Sequence, residues 1–171
     1  MRMISKLSQP EYLHILLNHL PLVGLAVATV ATLTALILRN RGALVIGLVL
    51  MALLAGTAWP VMETGEGAYN RVRPLTDEDG KRALRQHMDL AEDWGKLYYA
   101  TAAVALLALV VAWRKPRWLW PPAILAVLLA VACLVVGMFI AEAGGRIRHL
   151  EFRAGQDQNG TNATTGENLA P

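Results

Sequence analysis

Four histidines are the residues of this chain best equipped for chemistry: His14, His19, His87 and His149. Neutral imidazole is the commonest side-chain ligand for transition metals, and paired imidazoles from facing helices can hold haem iron from both sides. His14 and His19 sit in the stretch Glu11-Tyr12-Leu13-His14-Ile15-Leu16-Leu17-Asn18-His19-Leu20-Pro21. Five residues apart, they are separated by about 140° around a helix and cannot close on one ion as an i, i+4 pair would. Ligands must therefore come from different helices. The expected set is His14 or His19 together with His87, with His149 as a further cofactor-binding candidate. Asn18, Glu66, Glu92, Arg146 and Arg148 are expected around that set, the arginines against a haem propionate or a lipid phosphate. Met62 and Met138 offer thioether sulfur, although methionine in an apolar run ordinarily packs.

Each of these residues also has a purely structural explanation. His19, beside Pro21, could serve only the backbone carbonyls that the proline frees. His14 and His149 could be interfacial residues, Glu92 a helix partner of Lys96, and Glu142 a partner of Arg146. Imidazole serves copper and zinc as well as haem iron, so the histidines admit haem b, either ion, or no cofactor.

The elements that must position these groups are legible in the hydropathy. Four blocks, residues 20–38, 43–62, 97–113 and 121–141, contain no Asp, Glu, Lys, Arg or His. Each is about as long as a helix needs to cross a hydrocarbon core of roughly 30 Å. A soluble core rarely needs four such runs, and in lipid the backbone must satisfy its own hydrogen bonds. The expected fold class is all-α, an integral membrane four-helix bundle over residues 1–153, with spans at about 12–38, 43–62, 88–113 and 121–142. Residues 154–171, rich in Gly, Asn, Thr and Gln, are expected to form a disordered tail. No cleaved signal peptide is expected.

Local signals refine this outline. Ser8-Gln9-Pro10-Glu11 predicts a capping box at the first helix, Pro21 predicts a kink near His19, and helix two is expected to stop near Trp59-Pro60. Residues 63–74 are then the longest loop. Thr76-Asp77-Glu78-Asp79 predicts the start of helix three, which should project beyond the membrane with Leu84, His87, Ala91, Trp94 and Tyr98 facing inward. Four crossings return both termini to one side, so all four histidines gather at one end of the bundle. The short hairpins carry Arg39, Arg41, Arg114, Lys115 and Arg117 without acids, so they are expected on the cytoplasmic side and the histidine end outside.

The opening His14-Ile-Leu-Leu-Asn-His19-Leu-Pro21, the segment Thr64-Gly65-Glu66-Gly67-Ala68, His87-Met88-Asp89-Leu90-Ala91-Glu92 and the closing Gly144-Gly145-Arg146-Ile147-Arg148-His149-Leu150-Glu151 resemble a family of small, uncharacterised four-span bacterial membrane proteins. The likeness runs over roughly residues 11–151. It departs from the family's first motif, where Asn18 precedes His19 and no proline follows His14. The resemblance implies haem or metal bound through these histidines.

The single cysteine, Cys133, excludes an intrachain disulfide, and no Cys-x-x-Cys-His is present to attach c-type haem. A net charge of +3 concentrated in loops points to topology and not to nucleic acid. No nucleophile–base pairing or phosphate loop appears, so the chain is not expected to be an enzyme by itself. The expected role is a membrane-embedded redox or cofactor-binding subunit, most readily an electron-transfer protein with haem b, in contact with lipid and with other subunits of a redox complex. The alternative is a non-catalytic accessory subunit. A channel or transporter is disfavoured because the spans are nearly free of polar residues below His19.

Overall fold

Residues 9–152 are described by a computed structural model, and among them every regular element is helical. The first span comprises α1 (Pro10–Leu17), a π-helical turn (Leu20–Gly24) and α2 (Leu25–Ile37). The second comprises α3 (Arg41–Gly56) and α4 (Ala58–Val72); the third is the single helix α5 (Glu78–Arg114) and the fourth is α6 (Trp120–Gly145). Short 3-10 turns occur at Arg73–Leu75, Pro116–Trp118 and Leu150–Phe152. All four spans are long and apolar enough to cross a membrane. The 154–171 tail and Ser8 of the capping box lie outside the described residues.

The spans pack in ring order, α2 against α3, α3 against α5, α5 against α6 and α6 against α2. Small side chains make this possible. Ala28, Ala35, Ala105, Ala108, Ala112, Ala123, Ala126 and Ala130 are buried, while Val27, Val30, Ile46, Leu106, Val110 and Leu128 point outward. Alanines inside and large aliphatics outside let helices approach closely and suit a hydrocarbon solvent. The buried threonines bond within their own helices, Thr29 to the Leu25 carbonyl and Thr32 to that of Ala28, so no polar group is left unpaired there.

Exposed tryptophans mark both ends of the apolar zone: Trp59 and Trp94 at the histidine end, Trp113 and Trp118 at the other. Trp94 and Trp113 lie on one helix and, at 1.5 Å per residue, stand about 28 Å apart, close to the thickness of a hydrocarbon core. Asp77 caps α5, its carboxylate accepting from the Gly80 N–H at 2.7 Å. At the opposite end, the Arg41 guanidinium donates to the Ala112 carbonyl at 2.6 Å and ties the second span to the third.

The loop over residues 63–74 and the inward Trp94 are two expectations that are corrected. Residues 63–74 form no long loop: α4 carries the second span on to Val72, and Thr64 satisfies its hydroxyl on the Pro60 and Val61 carbonyls within the helix. At Pro21, where a kink is expected, the chain takes a π-helical turn, the wider winding that leaves room where the missing N–H would have bonded. Gln9 is the N-cap of α1 without a side-chain hydrogen bond, and the expected capping box rests on Ser8, which lies outside the described residues. Trp94 is half exposed, and Gly95 occupies the inward position against the Met62 sulfur, because two helices as close as α4 and α5 cannot fit an indole between them.

Candidate cofactor-binding site

Beyond the tryptophan level the bundle continues as α1, α4, the first half of α5 and the end of α6. His14 projects from α1 toward α4, where its Nδ1 lies 2.8 Å from the Val61 carbonyl oxygen. His87 projects from α5 toward α6, where its Nδ1 lies 2.8 Å from the Ile140 carbonyl oxygen. A carbonyl can only accept, so Nδ1 carries the proton in both rings, and in the neutral form each Nε2 keeps a lone pair. A metal-ligating histidine needs one ring nitrogen left basic while the other is tied to an oxygen, and the same tie serves equally to join two helices.

The same device seats both rings. Four residues after each accepting carbonyl stands a glycine, Gly65 after Val61 and Gly144 after Ile140. A Cβ on Gly65 would fall 3.0 Å from His14 Cε1, and one on Gly144 3.2 Å from His87 Cε1. The missing side chains are what let each imidazole lie against the neighbouring helix. The second pair of helices thus repeats the arrangement of the first, and the two rings meet with centroids 6.1 Å apart and planes at 88°.

Between them lies a cavity of about 220 Å³, lined by His14, His87, Asn18, His19, Met62, Met88, Glu66, Glu92 and the small residues Ala58, Gly65, Ala91, Gly95 and Gly137. Its floor is Tyr98, whose hydroxyl donates to the Cys133 carbonyl at 2.9 Å and packs against Gly137. Below the floor the Thr101 hydroxyl lies 3.1 Å from the Cys133 sulfur, in a fully buried contact. Among the described residues, no lysine or arginine lines the cavity.

The remaining candidates fall into two groups. His19 reaches the cavity rim, but it is exposed and its Nδ1 lies 3.2 Å from the Ile15 carbonyl of its own helix. It does not join the facing pair. Asn18, Glu66 and Glu92 line the cavity as expected, and Met62 does too. His149, Arg146, Arg148 and Met138 do not line it. The sharp chain reversal after Gly145 turns His149 away, onto Glu151 at 3.0 Å and beside Phe152 at 5.3 Å. The Glu151 carboxyl is held below the usual carboxylate range, first by its own backbone N–H and then by the His149 ring. Arg146 bonds Glu142 at 2.6 Å, Arg148 is exposed, and Met138 faces outward.

Val61, Ile140 and Tyr98 were not among the residues singled out from the sequence. Two are backbone acceptors, for which side-chain type carries no signal. Tyr98 was legible only as one member of the inward stripe of α5. Compared with known proteins, the chain matches no family model, no curated protein and no solved structure.

Proposed function

We propose that this chain is a membrane electron-transfer protein that binds haem b between His14 and His87. The observation that carries the reading is the opposition of two imidazoles whose Nδ1 protons are committed to backbone carbonyls. His14 and His87, their rings 6.1 Å apart, are the residues that would hold the iron. The donor set favours haem over a bare ion. Zinc wants four protein or water ligands, and among the described residues no group of three His, Cys, Asp or Glu could hold a metal. Haem requires only two axial ligands from the protein.

The volume is the tighter constraint. The cavity is smaller than a porphyrin, so seating one displaces Met62 and Met88, unbranched side chains that rearrange readily. Among the described residues the lining offers no lysine or arginine to a propionate, so those groups would be left to water. When bound, the haem would supply one-electron chemistry; the protein would set its potential through two neutral imidazoles and a mostly apolar surround. We place the histidine end in the periplasm of a bacterial inner membrane, on the resemblance to bacterial four-span proteins for the membrane and on the basic residues of the two short hairpins for the orientation.

The test is an absorption spectrum of the detergent-purified chain, oxidised and then reduced with dithionite. A Soret band and sharpened reduced bands support the proposal. A rival reading has its own support: each Nδ1 bond already ties two helices together, as a histidine serving only packing in an accessory subunit would also do. A colourless, metal-free protein would overturn the haem reading and favour that rival.

A further inference from the structure

The cavity has two exposed margins. On one, Glu66 and Glu92 open toward water between α4 and α5. On the other, Asn18, His19 and Ala141 are exposed between the first and fourth spans. The height of this second margin follows from antiparallel pairing. His14 bonds Val61 and Gly24 meets Leu54, so Asn18 and His19 stand level with Thr57 to Trp59, at the tryptophan boundary. The flanking side chains are exposed and apolar: Leu20 and Val23 on the first span, Met138 and Phe139 on the fourth. This margin therefore faces lipid, not water.

From these placements we infer that the opening between the first and fourth spans binds the head group of a membrane quinone or quinol, with His19 and Asn18 as its polar partners. His19 Nδ1 faces the Ile15 carbonyl, which again places the proton on Nδ1 and leaves Nε2 as an exposed acceptor for a quinol O–H. The Asn18 amide supplies both a donor for a quinone carbonyl and a second acceptor. The walls behind them, Leu22, Ile140 and Gly137, are apolar, and among the described residues no lysine or arginine lines this opening, which suits an uncharged head group better than an anionic one such as a lipid phosphate. An uncharged, ring-sized group that arrives from the bilayer fits this margin. The assignment of such a molecule as the redox partner of the site rests on the haem reading; the binding itself does not.

The experiment is a calorimetric titration of the full chain in detergent with a short-chain benzoquinone and, separately, its hydroquinone. One saturable site is expected. His19→Leu and Asn18→Leu should each weaken it by tenfold or more, and His19→Gln, which keeps an acceptor, should recover most of the loss. Ala141→Trp, which fills the opening without touching either polar group, should abolish binding. Unchanged helical circular dichroism identifies the variants that are folded. Partitioning without saturation, or saturable binding indifferent to His19→Leu and Ala141→Trp, overturns the inference. A chain that shows a Soret band but no titration overturns this site and leaves the haem reading standing. A colourless chain that titrates does the reverse.

Discussion

The imidazoles of His14 and His87 approach each other across the bundle from helices that are not neighbours in the ring, their centroids 6.1 Å apart and their planes at 88°. Each reaches a carbonyl on the helix next to its own, so two interhelical hydrogen bonds orient both lone pairs at once.

On the haem reading proposed above, His14→Ala and His87→Ala should each abolish haem absorbance, because each removes one of the two imidazoles that would hold the group. His19→Ala and His149→Ala should leave the spectrum intact. Each of the first two also removes an interhelical hydrogen bond that contributes about 1 kcal/mol. A thermal melt should show that loss even in protein without cofactor. Retention of the spectrum in His87→Ala would refute the assignment.

The glycines beneath the rings make a separate prediction. Gly65→Ala and Gly144→Ala would place a methyl 3.0 Å and 3.2 Å from ring carbon, close enough to push each imidazole off its carbonyl. A loss of about 1–3 kcal/mol is expected for such overpacking, together with weakened cofactor retention. Gly56→Ala is the control: nothing lies within 4 Å of its Cβ position, and removing a helical glycine should stabilise by up to about 1 kcal/mol. Comparison of the three melting temperatures checks both statements.

Arg39 is the one described non-glycine residue with positive φ, at 50°. The left-handed conformation costs an ordinary residue about 1–2 kcal/mol, and glycine loses about 0.5–1 kcal/mol of that advantage to chain entropy. Arg39→Gly should therefore raise stability by roughly 0.5–1 kcal/mol, read as a higher melting temperature in detergent.

The Glu151 carboxyl is lowered first by its own N–H and second by His149. A depressed carboxylate stabilises above its unfolded pKa, and that contribution disappears as the pH falls through the folded value. In His149→Ala the carboxyl should titrate closer to the ordinary range yet remain below it, since the larger cause persists. An NMR titration of the Glu151 side chain measures this; a return to the fully ordinary value would show that His149 was the main cause.

The sequence by itself determined the number of spans, the gathering of all four histidines at one end and the projection of the third helix. These follow from hydropathy and from counting crossings, and neither depends on side-chain packing. It also narrowed the site to a few residues, and the Thr64-Gly65 and Gly144-Gly145 motifs contained the glycines that seat the rings. What the tertiary structure decided was which histidines meet. His14 and His19 differ by about 140° in azimuth, and only the packing of α1 on α4 turns His14 inward and leaves His19 at the rim. The helix in place of the 63–74 loop has the same origin: a stretch containing Gly65 and Gly67 has weak helical propensity, and contact with α1 and α5 overrides it. The anchors of both rings are backbone carbonyls, which every residue possesses. Only the fold selects Val61 and Ile140.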